Sequence, residues 1–257
     1  MIDILILAGK RPRPGTILET VARILVEDGA TLHTEWRDPL GAVASWPSRF
    51  LVHRGLGADV LQPLAALAPA RVVNDPGACL RVGDRGLTMA ALRRSGLPVP
   101  SAETFTDWYQ VCQRAAAGSV FLKARSGLQG RGAGVLALET GAPEKPPFPG
   151  PWHVEEMLPG DGTDRKLYVA GPRVFGLLKA WPRDDTAPSL PFAPPSEMVD
   201  LALSVGSALG LEIYGVDLIG QDSAFRVVDV NPFPGFRGVD GAAQAVADHI
   251  AARADGG

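Results

Sequence analysis

Cysteine is scarce in this chain: two residues, Cys79 and Cys112, among 257. They form neither a C-x-x-C pair nor a disulfide framework, so a reducing cytoplasm is the expected setting and both are expected as small buried hydrophobes. Long apolar runs are missing as well. IDILILA at the N-terminus has strand length, far short of a membrane-spanning helix, and no basic leader with a long apolar segment precedes it. Positive charge is not in excess either, the formal net charge being -3. A nucleic-acid surface is therefore not expected, and the small KRPRPG patch with Arg11 and Arg13 reads equally as substrate-side or plain surface. The four histidines, His33, His53, His153 and His249, have no mutual ligand spacing, which argues against zinc.

What is present is a globular composition, 46% hydrophobic and 21% charged, in a chain long enough for two or three small lobes. IDILILA reads as a buried strand, and the turn AGKRPRPGT leads to Thr16, whose spacing to Glu19 is that of a capping box opening a helix that runs up to Gly29. Strands are expected at Thr31 to Thr34 and in RFLVHR, with a helix in DVLQPLAALA and an end to the lobe at RVVNDP. This order predicts a small doubly wound α/β lobe over residues 1–80.

The middle of the chain, 81–151, reads as a helix from Asp84 to Ser95, a second helix in SAETFTDWYQVCQRAAAG, then strand SVFLKA, loop RSGLQGRGAG and strand GVLAL. A glycine loop between two strands is neither the dinucleotide fingerprint nor a P-loop, both of which open a helix. Gly127, Gly130, Gly132 and Gly134, with Lys123 at the preceding strand's end and Ser126 and Gln129 in the loop, fit a phosphate grip. An ordinary glycine-rich hairpin with Lys123 reaching solvent fits the same residues.

After the proline-rich GAPEKPPFPGP, residues 152–257 read as strand WHVEEML, a hairpin of RKLYVA and VFGLLKA carrying Lys166 and Lys179, a proline-rich loop from Trp181 to Pro195, and a helix from Ser196 to Leu209. Then come two strands, YGVDLIG and FRVVDVN. Paired about Ser223, they set Asp217 opposite Asp229, with Asn231 on the same face. Opposed carboxylates are destabilising unless a cation lies between them, and three oxygen ligands on strands describe a magnesium site. The alternative is that Asp229 pairs with Lys166 or Arg226 and Asp217 caps a turn.

The ordered segments, a lysine-ended strand, a glycine loop, VEEML, a basic hairpin and then VVDVNPFPGFRGVDGA, resemble the ATP-grasp superfamily, and more closely its RimK-type glutamate ligases and glutathione synthetase-like enzymes. The resemblance runs from about Asn74 to Ile250 and implies an ATP-grasp fold: a small N-terminal α/β lobe, a central nucleotide-lid subdomain and a C-terminal α+β subdomain. It implies ATP and one or two magnesium ions, with manganese as a substitute, and puts Lys123 and the Gly127 to Gly134 loop on the phosphates, with Arg85 as a second contact. Glu155, Glu156 and Met157 would line the adenine pocket. Lys166 and Asp164 stand for a basic and acidic pair after the hinge. Asp217, Asp229 and Asn231 would hold the metal, and Arg54 and Arg237 would face the substrate cleft. The arginines usual near Ala180 and Trp181 are absent.

The implied activity is an ADP-forming carboxylate–amine ligation through an acyl phosphate, adding an amino acid such as glutamate to a small molecule or peptide. A small-molecule kinase on the same nucleotide site is the alternative. The implied partners are a small-molecule or peptide carboxylate and an amine, with no nucleic acid and no membrane; a homo-oligomer is left open.

Overall fold

The structure is a computed structural model, described here over residues 2–45, 49–67, 71–125, 134–180, 188–220 and 224–256. The chain opens with β1 (Asp3–Ala8), α1 (Ile17–Glu27), β2 (Thr31–Glu35), α2 (Pro39–Ser45), β3 (Phe50–Arg54), α3 (Ala58–Ala66) and β4 (Val72–Val73). The strands form a parallel sheet in the order β2-β1-β3-β4. Five successive residues of β1, Ile4 to Ala8, are buried because both faces are covered. Ile4 and Ile6 meet α1, while Leu5 and Leu7 pack with Leu51 and Leu64 on the other side. The anticipated capping box does not form. Thr16 Oγ1 donates instead to the Arg13 carbonyl at 2.7 Å, and Glu19 Oε2 accepts from Gly15 N at 3.1 Å.

The middle of the chain holds α4 (Pro76–Val82), α5 (Arg85–Arg94), β5 (Ala102–Phe105), α6 (Trp108–Ala116), β6 (Val120–Ala124), β7 (Val135–Leu138) and β8 (Trp152–Glu156). The segment expected as one helix from Ser101 divides into strand β5 and helix α6. Phe105 pairs with Trp152 across β5 and β8, and Asp107 caps the helix by accepting from Tyr109 N at 3.0 Å. The sheet order is β5-β8-β6-β7, antiparallel throughout. Strand β8 thus lies within the middle sheet, so the change from one sheet to the next comes after Glu156, later than the anticipated division at 151. Val120, Leu122, Trp152 and Val154 bury one face of that sheet against Val111 and Ala115 of α6. Cys79 is buried, and burial pushes its thiol up to about 12, whereas Cys112 on α6 is only half-buried.

The third sheet, β11-β10-β9-β12-β13, is built from β9 (Thr163–Ala170), β10 (Arg173–Ala180), β11 (Leu190–Phe192), β12 (Ile213–Ile219) and β13 (Arg226–Pro232), with α7 (Ser196–Leu209) and α8 (Ala242–Asp255). Helix α7 has the expected bounds. Residues 190–192 of the anticipated loop are strand, because Leu190 to Phe192 complete the ladder of β10; Trp181 lies outside the described residues. Alternation divides the sheet cleanly. Leu167, Val169, Tyr214, Val216 and Leu218 pack on α4, α5 and α7, while Tyr168, Ala170 and Ile213 join the core shared by α1, α8 and the first sheet. No helix among the described residues is long and apolar enough to cross a membrane.

Asn74 ties the first sheet to the third. Its fully buried amide accepts from Glu212 N and Ile213 N, both at 2.8 Å, and donates to the Ile213 carbonyl at 2.7 Å. This holds the start of β12 four residues before Asp217. Asn74→Ala leaves those backbone groups without their partner, and urea unfolding is expected to show a loss of about 2–4 kcal/mol. A loss below about 0.5 kcal/mol, within the range of ordinary surface changes, would contradict this role.

Candidate functional site

Asp217 on β12 and Asp229 on β13 are direct partners in the antiparallel register, and Asn231 pairs with Gly215 on the same face. Asn231 Nδ2 donates to Asp229 Oδ2 at 2.9 Å. From the other side, β9 places Lys166 opposite Asp217. The Lys166 ammonium contacts Asp217 Oδ2 and lies 3.2 Å from Asp164 Oδ2, so it is Asp217, and not Asp229, that takes the lysine. Burial works against the charge on Lys166, but Asp217 and Asp164 outweigh it and hold the ammonium above its ordinary range. Burial pushes the Asp217 carboxyl up to about 7; Lys166 opposes the rise, and Asp164 and Asp229 add to it. Asp164 Oδ1 is buried without a hydrogen-bond partner among the described residues.

Two carboxyl groups at one ammonium, with Asp229 opposite Asp217, leave a deficit of positive charge. The donors are oxygens, the set preferred by magnesium or manganese, so the residues fit a hard divalent cation. Among the described residues no group of three or more His, Cys, Asp and Glu side chains is arranged to hold a metal, which makes Asn231 an essential part of the candidate set.

The pairing reaches Asp229 through an irregularity the sequence did not signal. Asp217 faces Asp229 but Leu218 faces Val227, so Val228 is the extra residue of a β-bulge. Its carbonyl accepts from Lys123 Nζ at 3.0 Å. Lys123, on β6, also donates to Glu155 Oε2 at 2.6 Å. Alternation explains why these groups meet: Lys123, His153 and Glu155 occupy the face of the middle sheet opposite Leu122, Trp152 and Val154. His153 Nε2 stands 3.2 Å from Glu155 Oε1, out of line for a hydrogen bond. Burial alone would raise the Glu155 carboxyl, yet Lys123 and His153 together hold it below its ordinary value.

Arg85 opens α5 and sends Nη1 to the Ala124 carbonyl at 2.6 Å, beside the end of the lysine strand. Glu156 points away from Lys123, and its Oε1 accepts from Ser101 N at 2.9 Å. Met157 N donates to the Ser119 carbonyl at 3.3 Å. Ser126, Gly127, Gln129, Gly130 and Gly132 lie outside the described residues.

Beyond Asn231 the turn is built on two non-glycine residues with positive φ, Phe233 at 42° and Phe236 at 48°. Such backbone is held only where its surroundings over-determine it. Both rings are buried, and Phe236 lies against Tyr168 with centroids 5.3 Å apart. From the first sheet, Arg54 Nε donates to the Phe233 carbonyl at 3.0 Å. A Cβ at Gly235 would lie 3.7 Å from an Arg54 guanidinium nitrogen and 3.8 Å from Arg237 Cγ. Burial, and then the nearness of Arg237, lowers the Arg54 pKa, so the cleft brings two cations together without neutralising them. The bulge had no signature in the residues, whereas strict alternation from Trp152 was an available signal for His153's place beside Glu155.

The family model of the inositol 1,3,4-trisphosphate 5/6-kinase ATP-grasp domain matches residues 180–252. A probable alpha-L-glutamate ligase of Xanthomonas campestris pv. campestris is 33% identical over 98 residues, which is 34% of this chain and 33% of the relative. A protein of the same description from Legionella pneumophila is 24% identical over 186 residues, 65% of this chain and 61% of the relative. The chain therefore spans less than two thirds of either relative. Among solved structures, the RimK domain protein ATP-grasp of Sphaerobacter thermophilus superposes with TM-score 0.72 at 20% identity, covering 98% of this chain and 99% of that one. The ATP-grasp ligase PsnB, complexed with minimal precursor, Mg and ADP, gives TM-score 0.68 at 18% identity over 98% and 97% of the two chains.

The chain has the ATP-grasp fold.

The buried pair of Lys123 and Glu155 makes a thermodynamic prediction. Lys123→Met strands the carboxylate and is expected to cost about 3–5 kcal/mol, while Lys123→Met combined with Glu155→Leu recovers most of the loss. Because the Glu155 carboxyl is depressed in the folded protein, its contribution is present above the ordinary 4.5 and fades as pH falls through the folded value. Denaturation of the three proteins across pH checks both points; a double variant no more stable than the single one would contradict the pairing.

Proposed function

We propose that this protein is an ATP- and magnesium-dependent carboxylate–amine ligase that releases ADP and phosphate. One arrangement supports the reading. Lys123, a cation suited to nucleotide phosphates, reaches the bulge next to Asp229, while Arg54 and Arg237 converge on the turn that follows Asn231. A phosphate-binding cation, an oxygen donor set for a divalent ion and a pair of arginines suited to a carboxylate therefore border one cleft.

On this reading Lys123 and Arg85, with the loop of Ser126, Gly127, Gln129, Gly130 and Gly132, hold the phosphates. Backbone groups from Glu155 to Met157 receive the base, with Glu156 beside them. Asp217, Asp229 and Asn231 would hold magnesium, or manganese in its place, which would supply positive charge to the phosphoryl oxygens. ATP supplies the phosphoryl group that activates a carboxylate. Arg54 and Arg237 orient that carboxylate by bidentate hydrogen bonding, and Lys166 balances charge beside the transferring group. The residues need supply no covalent nucleophile, because an incoming amine displaces the phosphate. The names of the curated relatives favour glutamate as one substrate, and the complex of PsnB with a precursor peptide favours a peptide as the other. A reducing cytoplasm is the proposed setting.

A phosphotransferase is the second reading, favoured by the match of residues 180–252 to a kinase domain. Hydroxylamine distinguishes the two. The ligase is expected to yield a hydroxamate and inorganic phosphate from ATP and a responsive carboxylate. A stable phosphorylated product, formed without an amine and giving no hydroxamate, would favour the kinase.

A further inference from the structure

A second cationic feature stands on the same edge of the first sheet and is not used by the chemistry above. In a parallel sheet, ligands gather outside the carboxyl ends of the strands where the strand order reverses, here between β1 and β3. Arg54 ends β3, and Gly9 N, just beyond β1, donates to the Arg54 carbonyl at 3.0 Å. On the far side of β1, strand β2 ends at Glu35 and is followed at once by Trp36 and Arg37. The Arg11 guanidinium carbon lies 5.6 Å from the Trp36 ring centroid and that of Arg37 lies 5.7 Å from it.

This platform is built rather than incidental. Trp36 is half-buried and packs against the core beneath the first sheet. Glu35 Oε1 accepts from Trp36 N at 2.7 Å and Asp38 N at 3.1 Å, and also from Arg37 N, which fixes the turn. Those backbone bonds lower the Glu35 pKa. Two other acids nearby are engaged by backbone as well: Asp38 Oδ1 accepts from Gly41 N at 3.0 Å, and Glu19 Oε2 from Gly15 N at 3.1 Å. Among the described residues Arg11, Arg13 and Arg37 make no ion pair. The loop bearing Arg11 contains Pro12 and Pro14, which reduce its freedom, and the Thr16 bond to the Arg13 carbonyl closes it. Stacking on an aromatic ring leaves the edges of a guanidinium available to carboxylates.

We propose that Arg11, Trp36 and Arg37 form an outer subsite for a second anionic group of the substrate, the inner group being held by Arg54 and Arg237. Strands β2 and β3 flank β1, so the strand ends beside which the two cationic positions stand are two strand spacings apart, about 10 Å. That span corresponds to about three residues of extended chain. The occupant is therefore an acidic peptide segment with carboxylates at both ends of such a stretch, and not a free amino acid. The assignment rests on the ligase reading for its chemistry but not for its binding.

Calorimetric titration of the full chain with triglutamate, free glutamate and trilysine, with and without magnesium and ADP, tests it. Triglutamate is expected to bind at least about ten-fold more tightly than glutamate. Arg11→Glu with Arg37→Glu is expected to remove that advantage and leave glutamate binding unchanged. Arg94→Glu with Arg114→Glu, an equal change of charge on α5 and α6, is expected to leave the advantage intact. Triglutamate binding no tighter than glutamate, or weakened equally by both charge reversals, would overturn the subsite, as would tighter binding of trilysine. ADP release is scored separately: its absence while the arginine-dependent triglutamate binding persists would sink the ligase reading and leave the subsite standing.

Discussion

One ammonium, Lys166, meets Asp164 and Asp217, while Asp229 stands opposite Asp217 with no lysine of its own, and the third sheet is arranged around that imbalance. Burial raises the electrostatic stake, because charge removed from water must be matched locally. Strand β9 supplies the lysine and one acid, β12 the second acid and β13, at the sheet edge, the third, so three neighbouring strands of a single sheet converge on one spot. A fold selected for stability alone would place apolar residues there, as the same strands do on their other face with Leu167, Val216 and Leu218. The imbalance is most simply relieved by a divalent cation on the oxygen donors, and the proposed nucleotide chemistry follows from that relief.

The bulge at Val228 extends the arrangement to the middle sheet. The carbonyl of the extra residue accepts from Lys123, whose second bond is to Glu155. The positions of two sheets are thereby coupled through one side chain. On the opposite flank, Asn74 holds the start of β12 and Arg54 holds the Phe233 carbonyl beside it, so the first sheet is joined twice to the third at the end of the hairpin beyond the acid pair. The positive φ values of Phe233 and Phe236 are sustained by the burial of their rings, and the turn they form carries Arg237 outward beside Arg54.

Much of this was legible in the residues. Alternation in YGVDLIG and FRVVDVN was enough to oppose Asp217 and Asp229, although the turn centre assumed for that pairing took no account of the bulge. Helix α7 was legible because its apolar periodicity runs unbroken between Pro195 and Gly210. Strand β5 was misread as helix because AETF carries no strict alternation, and only its pairing with β8 makes it extended. Helices α2 and α4 escaped notice because each is a seven-residue segment opened by a proline. The partner of Lys166 was not legible either. Asp217 and Asp229 are equally acidic in sequence, and the register of β9 against β12 selects Asp217. Tertiary pairing decided each of these cases, and local propensity did not contain it.

The central claim is that the acid excess around Lys166 is a divalent-cation site, and manganese binding tests it most directly. Titrating Mn2+ into the protein with ADP present, and following the free ion by electron paramagnetic resonance, should show tight binding that Asp229→Asn abolishes. A parallel thermal unfolding measurement should find the variant folded. Manganese binding of the same stoichiometry and affinity in the variant, or no binding by the unaltered protein, would contradict the account.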